Sequence, residues 1–240
     1  MNTPLGFSRN VIKPNYALIT PDGFVPSNMP GWTNVVFNVL ISGALGAKFN
    51  QHLVTFAKDG RGTGNTGAKQ LFAYVVSGAV TLNKEKLDAG GYACLPPGSA
   101  YTFTGNDARV LLFEKVYEPL AGTPTPAVMF GHENKIAGQP FLGDPDARLQ
   151  TLLPDALGFD MALNVFTYSP GATLPFVETH VMEHGMMILS GQGVYRLDND
   201  WHPVIEGDMI WIAPYCPQWF VCSGKKPARY IYYKDVNRQP

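Results

Sequence analysis

Apolar and polar residues alternate along this chain in short bursts rather than in long stripes. The runs VVFNVLI (35–41), FAYVVSG (72–78) and ARYIYYK (228–234) are rich in β-branched and aromatic residues, which suit a pleated, half-buried surface. Turn signals recur between the bursts, as in Ser77-Gly78, Ala89-Gly90-Gly91, Pro97-Gly98, Ser190-Gly191 and Ser223-Gly224. Short strands punctuated by Gly and Pro predict an all-β sandwich or barrel. Helix is expected to be minor, near Asp144 to Leu157.

The pattern also repeats. YVVSGAVTL (74–82) matches MILSGQGVY (187–195) and aligns Gly78 with Gly191. Further on, Gly90 and Pro97 match Gly207 and Pro214 at the same spacing, and DARVLLFEK (107–115) echoes PARYIYYKD (227–235). Three matches in one order predict two copies of a single β-fold. The expected division is residues 1–120, a Gly- and Pro-rich connector at 121–150, and residues 151–240.

Composition narrows the partners. With 240 residues, 45% of them hydrophobic, the chain can bury one large core or two smaller ones. A formal net charge of −1 without basic clusters leaves no footprint for nucleic acid or an anionic membrane, so a small neutral or zwitterionic molecule is the expected partner. No apolar run approaches the roughly 20 residues that span a bilayer, and the opening MNTPLGFSRN lacks signal-peptide order; a cytoplasmic protein is expected. Cys94, Cys216 and Cys222 form no CxxC pair and read as small buried residues.

Candidate chemistry concentrates in the second copy, within FVETHVMEHGMMILSGQGVYRL (176–197). On a strand, Glu178 and His180 point to one face, and His184 keeps the even register. Converging in a barrel, they would offer one carboxylate and two imidazoles to a divalent ion; alone, the triplet equally suits exposed polar residues on a strand edge. The repeat supplies a control. His184, His180 and Glu178 align with Leu71, Gly67 and Asn65, and Gln218 aligns with Tyr101, so the copies differ where a metal would sit. In the tail, Tyr230, Tyr232 and Lys234 share a face, against Val110, Leu112 and Glu114 in the first copy. An inward lysine in an apolar barrel needs an anion. Glu183 has odd register and points away, while His52, His132 and His202 read as structural or solvent-facing.

The cluster resembles the two metal-ligand motifs of the cupin superfamily, with Glu and His exchanged in the first and Gln replacing His in the second, GDMIWIAPYCPQ (207–218). Those departures, with the runs ETHVMEHG, LSGQGVYRLDNDW, YIYYKDVNR and YALITPDGFVPSNMPGW, resemble the two-cupin (S)-ureidoglycine aminohydrolase family. The resemblance implies tandem jelly-roll barrels and a Mn²⁺ ion held by Glu178, His180, His184 and Gln218 in the second. It implies ureidoglycine bound by Tyr195, Tyr230, Lys234 and Gln218, catalysis involving Glu178, Tyr230 and Lys234, and release of ammonia in purine and allantoin breakdown. A homo-oligomer is expected. From donor chemistry alone Fe²⁺, Co²⁺ and Ni²⁺ fit as well as Mn²⁺, and an Fe²⁺ dioxygenase or a non-enzymatic binding protein stay open on the scaffold alone.

Overall fold

The structure, a computed structural model, describes residues 8–238. Strands β1 (Val11–Ile12) and β2 (Tyr16–Ile19) come first, followed by β3 (Pro26–Ser27), β4 (Trp32–Ile41), β5 (Phe49–Asn65), β6 (Lys69–Leu82), β7 (Glu85–Asp88), β8 (Gly91–Leu95), β9 (Ala100–Val116) and β10 (Met129–His132). Then come β11 (Gln139–Phe141), β12 (Asp144–Thr151), β13 (Met161–Tyr168), β14 (His184–Ser190), β15 (Gln192–Leu197), β16 (Asp200–Ile205), β17 (Met209–Ile212), β18 (Gln218–Cys222) and β19 (Ala228–Asp235). The three apolar bursts fall in β4, β6 and β19, and the expected all-β class holds. No helix among the described residues is long and apolar enough to cross a membrane.

The chain divides into two compact units. One comprises Val25–Lys135 and Ala156–Asp160, and its sheet runs β10-β8-β6-β9-β5-β4-β3 with β7 paired to β6. In β6 the inward set changes parity, from Leu71, Ala73 and Val75 to Val80 and Leu82, all in one core. A period of two cannot do this unaided; the register shifts across Ser77 absorb the extra residue and bend the strand. The returning segment is pinned by Asp160, which accepts from Lys115 Nζ at 2.6 Å, from the Glu118 backbone N–H at 2.9 Å and from Gln70 Nε2.

Of the described residues, the other unit holds those up to Phe24, Ile136–Asp155 and those from Met161. Its larger sheet runs β1-β2-β17-β14-β19-β13-β12-β11, beside a second sheet β16-β15-β18. Alternation is regular here: in β18, Gln218, Phe220 and Cys222 are buried while Trp219 and Val221 are half-exposed.

Three expectations need correction. The division at 1–120, 121–150 and 151–240 does not match the compact units, because β2 pairs with β17 from Tyr16↔Ile212 to Ile19↔Met209. Arg9 reinforces this with two bonds to buried Asp208, at 2.9 and 2.7 Å. The connector carries β10 of one sheet and β11 and β12 of another. The helix expected near Asp144 to Leu157 is largely strand β12, whose residues Ala147–Thr151 pair with β13; sheet pairing overrides the helix-tolerant local composition.

The repeat has a physical counterpart. Gly78 and Gly191 share left-handed backbones, φ 73° and 78°, and a Cβ on either would strike the backbone of the aligned tail, 2.6 Å from Asp107 O or 2.5 Å from Pro227 O. Gly90 and Gly207 match likewise at φ 89° and 91°. The pair His184↔Lys234 in one unit corresponds to Leu71↔Glu114 in the other.

Candidate active site

A cavity of about 130 Å³ opens in the unit that contains β14, β18 and β19. Glu178, His180, His184, Tyr195, Gln218, Tyr230 and Lys234 all line it, so every site residue read from the sequence reaches one place. The route differs from the one expected. Glu178 and His180 lie on an irregular segment, tied to β18 by backbone bonds between Glu178 and Gln218 of 2.8 and 2.9 Å. Only His184 opens a strand. The N-terminus of β18 thereby fixes Glu178 against Gln218, and strand pairing places Lys234 beside His184.

The two imidazoles have defined tautomers. His184 Nδ1 lies 3.1 Å from the Tyr233 carbonyl and His180 Nδ1 lies 3.2 Å from the Met182 carbonyl; a carbonyl only accepts, so each Nδ1 carries the proton. Both Nε2 atoms therefore present lone pairs, and they face each other at 3.1 Å. Burial lowers the pKa of His180, and burial with the neighbouring His180 brings His184 to about 3, so both rings are neutral at physiological pH. Two acceptors that close repel unless a cation or proton lies between them. Imidazoles held by carbonyls at Nδ1 with Nε2 free are the usual arrangement of metal ligands.

Gln218 donates from Nε2 to His180 Nε2 at 3.0 Å, and its Oε1 accepts from the Tyr195 hydroxyl at 2.9 Å. The pKa of Glu178 is raised by burial and opposed by the charge of Lys234. Among the described residues no three His, Cys, Asp or Glu side chains are already closed around a metal position. Two imidazoles and an amide touch, with Glu178 on the same wall. This donor set of nitrogen and oxygen without thiolate fits an open divalent-metal site.

Aromatic rings form the rest of the wall. Phe166 stacks on Tyr232 at 5.7 Å, and Phe141 meets Phe166 edge-on. Burial raises the pKa of Tyr195 and Tyr230 well above the ordinary phenol value, so both stay protonated. The Phe141, Phe166, Met182 and Met186 contributions were not foreseen, because apolar residues at these spacings look like core. Glu183 stays out of the cavity as expected; it is buried and accepts from Trp211 Nε1 at 3.3 Å. The three cysteines are free and buried.

A β-fold with histidines, a carboxylate and an amide lining its interior is the cupin class of protein, and the model of the Cupin domain matches residues 164–233. The chain is 38% identical over 98% of its length to (S)-ureidoglycine aminohydrolase of Arabidopsis thaliana, covering 80% of that protein. It is 40% identical over 93% of its length to the Escherichia coli K12 enzyme of the same name, covering 89% of it. The chain belongs to the (S)-ureidoglycine aminohydrolase family and is an enzyme of that family. The crystal structure of protein Ylba from E. coli superposes with a TM-score of 0.86 at 36% identity, covering 98% of this chain and 96% of that one. A variant of Bacillus subtilis oxalate decarboxylase shares the fold, with a TM-score of 0.72 at 9% identity, covering 99% of this chain and 81% of its own.

Proposed function

We propose that this enzyme hydrolyses (S)-ureidoglycine to (S)-ureidoglycolate and ammonia in purine breakdown, with Mn²⁺ held by Glu178, His180, His184 and Gln218. The observation that carries the reading is the pair of opposed Nε2 lone pairs inside a cavity that also holds Lys234. A bound divalent ion supplies Lewis acidity and a fixed point for substrate oxygen or nitrogen.

The chain's own groups do the rest. Lys234 pairs with the substrate carboxylate in a largely apolar cavity, where a charge-assisted bond is strong. The hydroxyls of Tyr195 and Tyr230 orient the ureido group. The carbon bearing the amine loses ammonia as the ureido nitrogen's lone pair forms a C=N bond; water then adds to one face, and its proton leaves as the C–O bond forms. Glu178, once displaced from the metal, would hand a proton to the departing amine and take one from water. Fixing a single face makes the product one enantiomer.

The tandem reading, two cupin barrels with the metal in the later one, is supported by the matched glycine geometry and by Leu71 and Glu114 standing where the other unit has His184 and Lys234. We extend the reading to a self-associating protein on the fold class alone. The test is ammonia release from freshly prepared (S)-ureidoglycine, with and without added Mn²⁺, with product chirality determined. Metal-stimulated release and a single enantiomer are expected; ammonia at the uncatalysed rate would sink the reading.

A further inference from the structure

Lys234 lines two cavities. Besides the one that holds His180 and His184, it borders a second of about 140 Å³ in the same unit, and the two share no other lining residue. Strand pairing builds the second wall. Lys234 stands opposite Ala162, and Asn164 stands between Tyr232 on β19 and Thr151 on β12. With a period of two, Asn164 faces the same way as Phe166 of the first cavity. Thr151, Pro154 and Asp155 form an exposed rim, so this cavity opens to solvent. Asn164 lies deeper and is 2% exposed.

Two donors on this wall lack an acceptor. Asn164 and Tyr232 are neighbours, yet Asn164 Nδ2 is buried and makes no hydrogen bond. Buried amide N–H groups are normally paired, because an unpaired one loses its water for nothing in return. The Lys234 ammonium has no ion pair among the described residues. One cationic donor and one neutral N–H suit the two oxygens of a single carboxylate; a phosphate, with more charge and more acceptors, would be left underserved. Asp155, the one carboxylate lining this cavity, is on the exposed rim, where solvent screens it.

We propose that the second cavity is a carboxylate subsite in which Lys234 and Asn164 are the donors. It rests on the reading of Lys234 as a carboxylate partner and adds the place and the second donor. The carboxylate has two possible sources. One is the substrate's own, with Lys234 joining the two cavities; the other is a free small acid, which inhibits by occupying Lys234.

The test titrates acetate, with uncharged acetamide as control, into full-length metal-free protein and follows the Lys234 ε-¹³C resonance, assigned by its absence in K234M. Acetate is expected to shift it and to bind at least about 10-fold more tightly than acetamide, the scale of a hydrogen bond to a charged group. N164L keeps the volume, removes the N–H and should weaken acetate about 10-fold, with a thermal midpoint unchanged or raised because no buried donor is left unpaired. Equal binding of acetate and acetamide to wild type overturns the proposal whatever the variant does, as does acetate binding that folded N164L leaves intact. Kinetics identify the source. A KM for (S)-ureidoglycine raised by N164L assigns the subsite to the substrate, whereas an unchanged KM with acetate inhibition lost assigns it to a free acid; neither change overturns the proposal's link to the reaction. Acetate binding as described in a protein that releases no ammonia would leave the subsite standing and remove the functional reading.

Discussion

His180 and His184 face each other Nε2 to Nε2 at 3.1 Å, each turned by a main-chain carbonyl at its other nitrogen. Replacing His184 by Ala removes one of the two lone pairs. H184A is expected to lose stoichiometric Mn²⁺ and to lower ammonia release by at least about 100-fold, the upper range seen even for residues one layer behind a ligand. Metal content by atomic emission and the ammonia assay check it together.

Lys234 makes no salt bridge among the described residues, so its charge is available to a ligand. K234M keeps the aliphatic stem and removes the ammonium. KM should rise about 10- to 100-fold, as expected for a charge-assisted bond, with a smaller change in kcat. An unchanged KM would remove Lys234 from the carboxylate site.

Glu114 occupies the corresponding strand position in the other unit, and its chemistry is structural. His52 foremost, with Lys69 at 3.3 Å, brings its pKa down to about 2 from 4.5. A depressed carboxylate pKa stabilises the fold above the unfolded value and loses that contribution as pH falls from about 4.5 toward 2. E114Q is therefore expected to be less stable than wild type at pH 7, by about 1–2 kcal/mol after discounting for solvent screening, with the gap closing below pH 4. Urea melts across pH 2–7 measure this.

Gly191 and Gly78 leave no room for a side chain. In each, a Cβ would sit within 2.6 Å of a backbone oxygen at positive φ. G191A and G78A should each cost roughly 2–4 kcal/mol, a loss of thermal midpoint measurable by calorimetry.

Much of this was legible in the chain. The bursts at 35–41, 72–78 and 228–234 are strands, and the alternation of Tyr230, Tyr232 and Lys234 puts all three on the cavity wall. Register logic succeeded for His184 but not for Glu178 and His180, whose segment is held by an isolated bridge to β18 and by the Tyr215 N–H bonding to the His180 carbonyl rather than by a strand. Local composition misread Asp144–Thr151, since that strand takes its conformation from the two it pairs with, β11 and β13.

The pairing of β2 with β17 also bears on how the protein is made. Leu18 finds its partner Ile210 only after about 190 further residues have left the ribosome, whereas the contacts of Val25–Lys135 are nearly all complete much sooner. Contacts this distant in sequence form slowly. During synthesis the opening hairpin waits with its edge unpaired, an interval in which the nascent chain is most exposed to misassociation and most dependent on chaperones.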